Sequence, residues 1–246
     1  MKKYLDALCM AQSMFCTLPA PRRWNEDARK HMLLFLPLIG LEAGLVWYIA
    51  AILLRRFTVP APLTAVILTA LPLLFTGFIH MDGFMDVCDA VGSWRETEKR
   101  RAILKDSHVG SCAVIGCAAV MLALFASFLS FDADTKLSLL IIIPVVSRCC
   151  SSFALLTLKP METSGYFGRP QPSAWVKWLP AAVVAAAVIA SPLLFGRQGF
   201  CIAAESICYV LSARKPYKLL DGMNGDISGF CLTLSELLGV AVLAIL

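Results

Sequence analysis

TGFIHMDGFMDVCDAVGSWRETEKRRAILKDSHVG, residues 76–110, is a charged segment with long apolar segments on both sides. Its first three aspartates, Asp82, Asp86 and Asp89, are spaced at i, i+4 and i+7, which places them on one face of a helix. Three carboxylates on one face repel each other unless a cation lies between them. Because oxygen ligands suit hard divalent cations, the segment predicts a Mg²⁺ or Ca²⁺ site. The alternative is a solvated helix face with Asp82 as the N-cap.

The remaining composition predicts a membrane protein. The chain has 246 residues, of which 59% are hydrophobic and 16% are charged, and its mean hydropathy is +0.74. A soluble domain carries about 25% charged residues. A bilayer core needs roughly 20 apolar residues per helical span. Seven apolar segments reach or approach that length: 32–54, 62–80, 109–131, 137–158, 174–195, 199–213 and 229–246.

These segments predict an all-α fold, a polytopic transmembrane helical bundle of about seven spans. Helices are expected because a lipid-exposed backbone must satisfy its own hydrogen bonds. Residues 1–246 show no internal repeat, so we expect a single integral-membrane domain. The segment 199–213 is short, but an even number of spans would put the acidic loops 76–110 and 214–230 on opposite sides of the membrane.

The basic residues predict the orientation of the bundle. Residues 1–30 form a short amphipathic helix, expected in the membrane interface, and a polar linker. With a cytoplasmic N-terminus, 17 Lys and Arg residues, Arg22 and Arg169 among them, fall in cytoplasmic parts and 4 in outer loops. This bias predicts a multi-pass protein of the cell membrane, in contact with lipids, whose acidic loops face the cytoplasm. Topology explains the net charge of +5, and we expect no nucleic-acid partner.

Two further polar motifs stand where apolar segments begin. The first runs from Lys105 to Gly110. In it, Asp106 is a candidate metal ligand or, like Ser107, a helix cap. Lys105, which lies beside a helix N-terminus, suits a phosphate. In the second, which runs from Asn224 to Gly229, Asp226 is a further candidate metal ligand, and a turn at the membrane edge is the alternative.

Histidines near these motifs are candidates for proton transfer. His80 and His108 each suit a general base or a structural role. A zinc site formed by His80, Cys88 and His108 is conceivable, but its spacing fits no common zinc pattern.

Ionisable residues inside the spans have either functional or ion-pairing roles. They are Glu42, Arg148, Glu205 and Glu236. We expect Arg148 to face a diphosphate or to pair with Glu205 or Glu42. Glu236 is expected to line the same cavity as Asp226. A basic run beside the aspartates either forms a solvated face or attracts an anionic substrate: Arg95, Lys99, Arg100, Arg101 and Lys105.

In their order along the chain, the motifs resemble those of the cobalamin synthase family, the adenosylcobinamide-GDP ribazoletransferases. The central two motifs carry the most specific part of the resemblance. The matching stretches are FCTLPAP at 15–21, LPLIGLEAG at 36–44, HMDGFMDVCD at 80–89, ILKDSHVG at 103–110 and GDISG at 225–229, followed by Glu236.

The resemblance implies a reaction and its participants. A hydroxyl of α-ribazole, or of α-ribazole 5′-phosphate, attacks the cobinamide-side phosphorus of adenosylcobinamide-GDP, GMP leaves, and adenosylcobalamin or its phosphate forms with Mg²⁺ as cofactor. The implied metal ligands are Asp82, Asp86, Asp89, Asp106 and Asp226. The implied proton acceptor is Asp89, His80 or His108, and Lys105 neutralises the leaving GMP. Arg148, Asn224 and Glu236 are the candidate cofactor-binding residues, and Glu236 stands at the family's downstream acidic position. Homo-oligomerisation stays open.

Two other functions would also use acidic groups of this kind. A CDP-alcohol phosphatidyltransferase also uses clustered aspartates at a membrane face, but its pattern needs an Ala-Arg pair after Asp-Gly, where this chain has Phe84 and Met85. A membrane transporter or channel would use the carboxylates inside the spans, but such proteins usually show repeated halves.

Overall fold

A computed structural model describes residues 2–21, 23–165 and 173–246, so Arg22 and Arg169 of the charge count lie outside it. The described residues are predominantly helical and contain no β-strand, and a single bridge pairs Pro160 with Met223. The prediction of an all-α fold is confirmed. The α-helices are α1 (Lys2–Phe15), α2 (Glu26–Arg29), α3 (Leu36–Arg56), α4 (Ala61–Thr76), α5 (Ile79–Gly92), α6 (Thr97–Ile103), α7 (Ser111–Leu129), α8 (Leu139–Thr157), α9 (Ala174–Phe195), α10 (Phe200–Leu220) and α11 (Gly225–Ile245).

Helix α8 lies at the centre of the bundle and packs against α3, α9, α10 and α11. Two glycines four residues apart allow α3 to approach α8 backbone to backbone. A Cβ atom added to Gly40 would lie 2.3 Å from the carbonyl oxygen of Pro144, and one added to Gly44 would lie 2.6 Å from that of Ile141. Small residues at this spacing are typical of close helix pairs in membranes, where close packing replaces the hydrophobic effect.

Five continuous stretches of the described chain are long and apolar enough to cross a membrane: Met32–Arg56, Ser111–Leu129, Leu139–Thr157, Ala174–Leu220 and Gly225–Ile245. The fourth has 47 residues, more than twice the roughly 20 that one span needs. It folds back at Gly196–Gly199, where a Cβ on Gly199 would lie 2.2 Å from the carbonyl oxygen of Ser191. The segment predicted at 199–213 is longer than expected, since α10 has 21 residues.

Several connections and the C-terminus gather at one end of the bundle. Arg55 donates to the carbonyl oxygen of Asp132 at 2.7 Å, and the Lys136 amide donates to the side chain of Gln198 at the same distance. Arg197 donates to the carbonyl oxygen of Leu246 at 3.0 Å. This end is therefore opposite to the end that carries α1, α5 and the N-terminus of α11.

The predicted segment 62–80 is not one continuous helix. Helix α4 ends at Thr76, and Gly77 and Phe78 both adopt left-handed backbone conformations, with φ of 59° and 66°. The chain then turns by 93° into α5. We therefore treat α4 as the spanning helix and α5, with its three aspartates, as lying at the membrane face.

Candidate active site between α5 and α11

Two glycines bring α5 and α11 into direct backbone contact. A Cβ atom on Gly83 would lie 2.8 Å from Cα of Asp226, and one on Gly229 would lie 3.0 Å from the carbonyl oxygen of His80. The close approach at Gly83 is thus made by the backbone of α11. The contact joins two acidic motifs through residues that are more than 140 positions apart in the chain, Gly83 and Asp226.

Four carboxylates converge at this contact. Asp82 is exposed, and Asp86, Asp89 and Asp226 are half-buried. Burial, together with the negative charges of Asp82, Asp226 and Asp89, raises the pKa of Asp86 to about 6. Within the described residues, none of the four carboxylates forms an ion pair with a basic side chain. The site therefore concentrates negative charge that its own side chains do not balance.

Asp89 caps the next helix. Its Oδ2 accepts from the amide of Gly110 at 2.6 Å and its Oδ1 accepts from the amide of Ala113 at 2.9 Å, so the carboxylate satisfies the free N–H groups at the start of α7. Gly110 is needed here, because a Cβ at that position would lie 2.6 Å from Oδ1 of Asp89. The cap thus comes from another helix and not, as the sequence alternative had it, from Asp106 or Ser107.

Asn224 and Asp226 form the start of α11. The Oδ1 atom of Asn224 accepts from the amide of Ile227 at 2.9 Å, which is the N-cap interaction, and its Nδ2 donates to Oδ2 of Asp226 at 2.6 Å. Asn224 was a candidate cofactor-binding residue, and in the structure its side-chain amide orients the Asp226 carboxylate.

Asp106 and His108 form an exposed pair outside the four-carboxylate group. Oδ1 of Asp106 accepts from the backbone amide of His108 at 3.0 Å and lies 2.6 Å from its Nδ1. This contact lowers the pKa of Asp106 and raises that of His108. The contacts of the Asp106 side chain are with His108, and its role as a metal ligand stays a prediction. A local turn holds it towards His108.

His80 points into the bundle. Its ring stacks on Phe15 with centroids 6.5 Å apart, and its Nε2 is buried without a hydrogen-bond partner among the described residues. His80 lines a small cavity together with Arg148 and Glu236.

Within the described part of the chain, no three His, Cys, Asp or Glu side chains form a ready-made metal site. The zinc site considered for His80, Cys88 and His108 is therefore not formed.

The ionisable residues within the bundle are arranged differently from the sequence expectation. Arg148 is buried and forms an ion pair with Glu236, which also accepts from Ser147 at 2.8 Å. Arg148 therefore forms an ion pair with neither Glu205 nor Glu42. Glu42 accepts from Gln12 of α1 at 2.7 Å.

Glu236 lines the small cavity that also contains His80 and Arg148. Glu236 and Asp226 are ten positions apart on α11, about 15 Å along the helix axis. The Arg148–Glu236 pair is consequently a feature of the bundle interior, and a role of either residue at the acidic site stays a prediction.

Replacing Arg148 by methionine is expected to destabilise the bundle by about 3–5 kcal/mol, because it leaves the Glu236 carboxylate buried and unpaired. The measurement is thermal unfolding in detergent micelles followed by circular dichroism. The double variant Arg148→Met/Glu236→Leu is the control and should recover most of the loss. If the single variant unfolds like the wild type, the pair does not stabilise the bundle.

The basic run divides into structural and exposed residues. Arg100 is buried and donates to the carbonyl oxygens of Ala90 and Val91 at the end of α5. Arg101 donates to the carbonyl oxygen of Leu220 at 2.9 Å and contacts the Asp221 carboxylate. The other members are exposed and could meet an anionic substrate: Arg95, Lys99 and Lys105.

A large cavity of the described structure lies elsewhere. It has a volume of about 570 Å³ and an almost wholly apolar lining from α8, α9 and α10, with Tyr209 and Arg214 on its wall. Its lining includes none of the aspartates. We therefore place the candidate chemistry at the α5–α11 contact, where polar groups converge.

Fold and site together define an all-α, membrane-type helical protein with a carboxylate-rich site at one end of its bundle. The chain matches the family described as cobalamin-5-phosphate synthase over residues 7–244, and it belongs to that family. The rival classes are therefore not favoured.

Curated relatives extend the match over the full length. An adenosylcobinamide-GDP ribazoletransferase from Clostridium perfringens (strain SM101 / Type A) is 33% identical over 251 residues, covering all of both chains. A protein of the same name from Clostridium botulinum (strain Alaska E43 / Type E3) is 30% identical over 98% of this chain and 97% of its own. Another, from Lachnoclostridium phytofermentans, is 30% identical over 98% and 94%. No solved structure matches the chain.

Proposed function

We propose that this protein is an adenosylcobinamide-GDP ribazoletransferase that acts in cobalamin synthesis. The oxygen of an acceptor hydroxyl, on α-ribazole or its 5′-phosphate, forms a bond to the cobinamide-side phosphorus. The bond from that phosphorus to the bridging oxygen breaks and GMP leaves. The observation that carries the proposal is the convergence of carboxylates from α5 and α11 in a chain of this family.

Magnesium is the proposed cofactor because the donor chemistry suits it, and its binding would draw together carboxylates that are not preassembled into a metal site. Oxygen ligands from several carboxylates suit a hard divalent cation, and the uncompensated charge around Asp86 would be relieved by one. Asp82, Asp86 and Asp226 would hold the ion, and Asp89 has oxygen lone pairs left after capping α7. When bound, Mg²⁺ supplies charge neutralisation for the diphosphate.

The protein's own groups position the reactants and move the proton. Asn224 holds the Asp226 carboxylate, and the Gly83 contact fixes that carboxylate relative to α5. Of the two candidate histidines, His108 is the better proton acceptor. Its Nδ1 is bound to Asp106, which leaves Nε2 of an exposed ring free to accept. Exposed Lys105 lies in the same loop, where it can meet the departing phosphate.

We also propose seven spans, α3, α4 and α7 to α11, with the N-terminus and the acidic site on the cytoplasmic face. The distribution of basic residues supports this orientation. Three connections lie together at the opposite end of the bundle, which supports an odd number of spans: 57–60, 130–138 and 196–199.

The function is tested by mixing the purified protein in lipid nanodiscs with adenosylcobinamide-GDP and α-ribazole. We expect equal amounts of GMP and adenosylcobalamin to form, and neither product without the acceptor. Hydrolysis to GMP without a cobalamin product, or no reaction with either acceptor form, would contradict the proposal.

Removal of divalent cations is expected to stop the reaction. Treatment with excess EDTA should lower the rate by at least about 100-fold, because the cation neutralises charge that develops on the phosphoryl oxygens. Addition of Mg²⁺ above the chelator concentration should restore the rate, whereas added Na⁺ at the same ionic strength should not. A rate that is insensitive to EDTA after dialysis would contradict the metal proposal.

The topology is tested by cysteine labelling in intact cells. In a variant without the native cysteines, Trp94→Cys on the acidic side should resist a membrane-impermeant maleimide until the cells are lysed. Asp134→Cys at the opposite end should react in intact cells. The opposite labelling pattern would show that the protein has the reverse orientation. Equal labelling of both sites would contradict the proposed topology.

A further inference from the structure

A second concave site opens beside the acidic cluster. It has a volume of about 480 Å³ and lies between the C-terminal end of α1 and the bend from α4 to α5. Its wall combines a carboxylate with sulfur, hydroxyl and aromatic groups: Asp82, Met14, Cys16, Ser13, Thr17 and Phe78. Since Asp82 belongs to both the wall and the cluster, a ligand in this cavity has one end at the reacting centre.

Phe78 is held in this wall at a conformational cost. Its φ of 66° lies in the left-handed region, which an aromatic L-residue rarely adopts. Its side chain is 52% exposed although it is large and apolar. A strained backbone at a residue whose ring lines a cavity points to a functional constraint there.

Helix α1 is fixed as the opposite wall. The amide of Thr17 donates to the carbonyl oxygen of Phe75 at 2.9 Å, and Gln12 donates to Glu42 of α3. The α1 helix, which the sequence analysis placed in the membrane interface, therefore also closes one side of the cavity.

The hydrogen-bonding state of the wall limits what it can bind. The hydroxyl of Ser13 donates to the carbonyl oxygen of Cys9 at 2.7 Å, and that of Thr17 donates to the carbonyl oxygen of Phe75 at 3.1 Å. Both hydroxyl protons are thus in use, and the thioether and thiol of Met14 and Cys16 are soft, apolar groups. The wall therefore lacks free hydroxyl donors for the O6 and N7 acceptors of a guanine, and it suits an aromatic ring system with few polar atoms better.

We propose that this cavity binds the base of the acceptor nucleoside, with the ring system stacked on Phe78 and the ribose directed towards Asp82. The inference rests on the proposed function and adds the acceptor subsite to it. The base of α-ribazole is a dimethylbenzimidazole, two fused rings with two methyl groups and few polar atoms. Stacking of an aromatic base on an aromatic side chain is a common source of affinity. Phe78 is thereby a specificity-determining residue for the acceptor.

The test compares Phe78→Gly with wild-type protein in nanodiscs. Glycine accepts the left-handed conformation without strain, so the variant loses the ring but keeps the bend. We expect the KM for α-ribazole to rise by about tenfold or more, which is the usual effect of losing a stacking partner, with an unchanged KM for adenosylcobinamide-GDP. Phe78→Tyr should behave like the wild type. Phe57→Ala, an exposed phenylalanine at the opposite end of the bundle, is the matched control and should alter neither constant.

Three outcomes would overturn the inference. The first is an unchanged KM for α-ribazole in Phe78→Gly. The second is a rise, in the same variant, of the KM for adenosylcobinamide-GDP alone. The third is a loss of activity with both substrates in Phe78→Tyr. Calorimetric titration of α-ribazole into the wild type and Phe78→Gly, without the donor, separates this inference from the proposed function. Weaker binding to the variant supports the subsite even if transfer fails, and equal binding or no binding to both overturns it.

Discussion

Asparagine in place of Asp86 is expected to reduce transfer by on the order of 1000-fold while the protein still folds. The substitution keeps the shape of the side chain and removes one of the charges that we propose to hold the cation. Loss of several kcal/mol of charge stabilisation at a phosphoryl-transfer centre corresponds to this factor, at about 1.36 kcal/mol per tenfold. The measurement is the initial rate of GMP release at saturating substrates and Mg²⁺.

The matched control for Asp86→Asn is Asp221→Asn. Asp221 is on the same side of the bundle, but it contacts Lys159 and Arg101 and lies outside the carboxylate group. Asparagine also tolerates its left-handed conformation. The control should retain the wild-type rate within about threefold, an effect typical of a weak exposed ion pair. A wild-type rate in Asp86→Asn would show that this carboxylate is not a metal ligand.

Replacing Gly83 by alanine is expected to disable the protein through the packing of α5 on α11. The added Cβ would lie 2.8 Å from Cα and 3.0 Å from the carbonyl oxygen of Asp226, and these backbone atoms cannot rotate away. The helices must separate, which costs about 1–3 kcal/mol in stability. Separation also moves Asp226 away from the aspartates of α5, so activity should fall by at least about 100-fold, as expected when reacting groups are misplaced by about 1 Å. Rate and unfolding temperature are both measured.

Gly225→Ala provides the comparison for Gly83→Ala. Gly225 is the first residue of α11, next to Asp226, and no atom lies within 4 Å of its added Cβ. Because alanine has the higher helix propensity, this variant should be as stable as the wild type or more stable. If both variants behave alike, the close α5–α11 contact does not organise the site.

The sequence carried enough information for the fold class and for the site's two main motifs. Long apolar segments require helices in lipid, and the spacing of Asp82, Asp86 and Asp89 requires a shared face. The structure confirms the all-α fold and brings the α5 motif against Asp226. The roles of the individual aspartates in metal binding stay predictions, because they depend on an ion.

Other features depend on contacts that periodicity does not encode. Hydropathy predicts one segment over 62–80. In the structure, the left-handed residues Gly77 and Phe78 lie at a 93° bend between α4 and α5. A bend at glycine is a familiar helix-ending signal, but a left-handed phenylalanine has no signature in the sequence.

Ion-pair partners were the least predictable feature. The sequence offered several carboxylates as possible partners of Arg148, and the structure pairs it with Glu236, 88 positions away. The same holds for Asp89, which the pattern groups with Asp86 but whose oxygens cap α7 through Gly110. Local spacing defines a helix face, and only tertiary packing decides what that face touches.

The central claim is that carboxylates of α5 and α11 hold one divalent cation together. The most direct measurement is Mn²⁺ binding, followed by electron paramagnetic resonance in nanodiscs, for the wild type, Asp86→Asn, Asp226→Asn and the control Asp221→Asn. We predict that the wild type and the control bind Mn²⁺ equally, that Mg²⁺ displaces it, and that either site variant weakens binding by at least about tenfold. Equal Mn²⁺ affinity in all four proteins would contradict the claim.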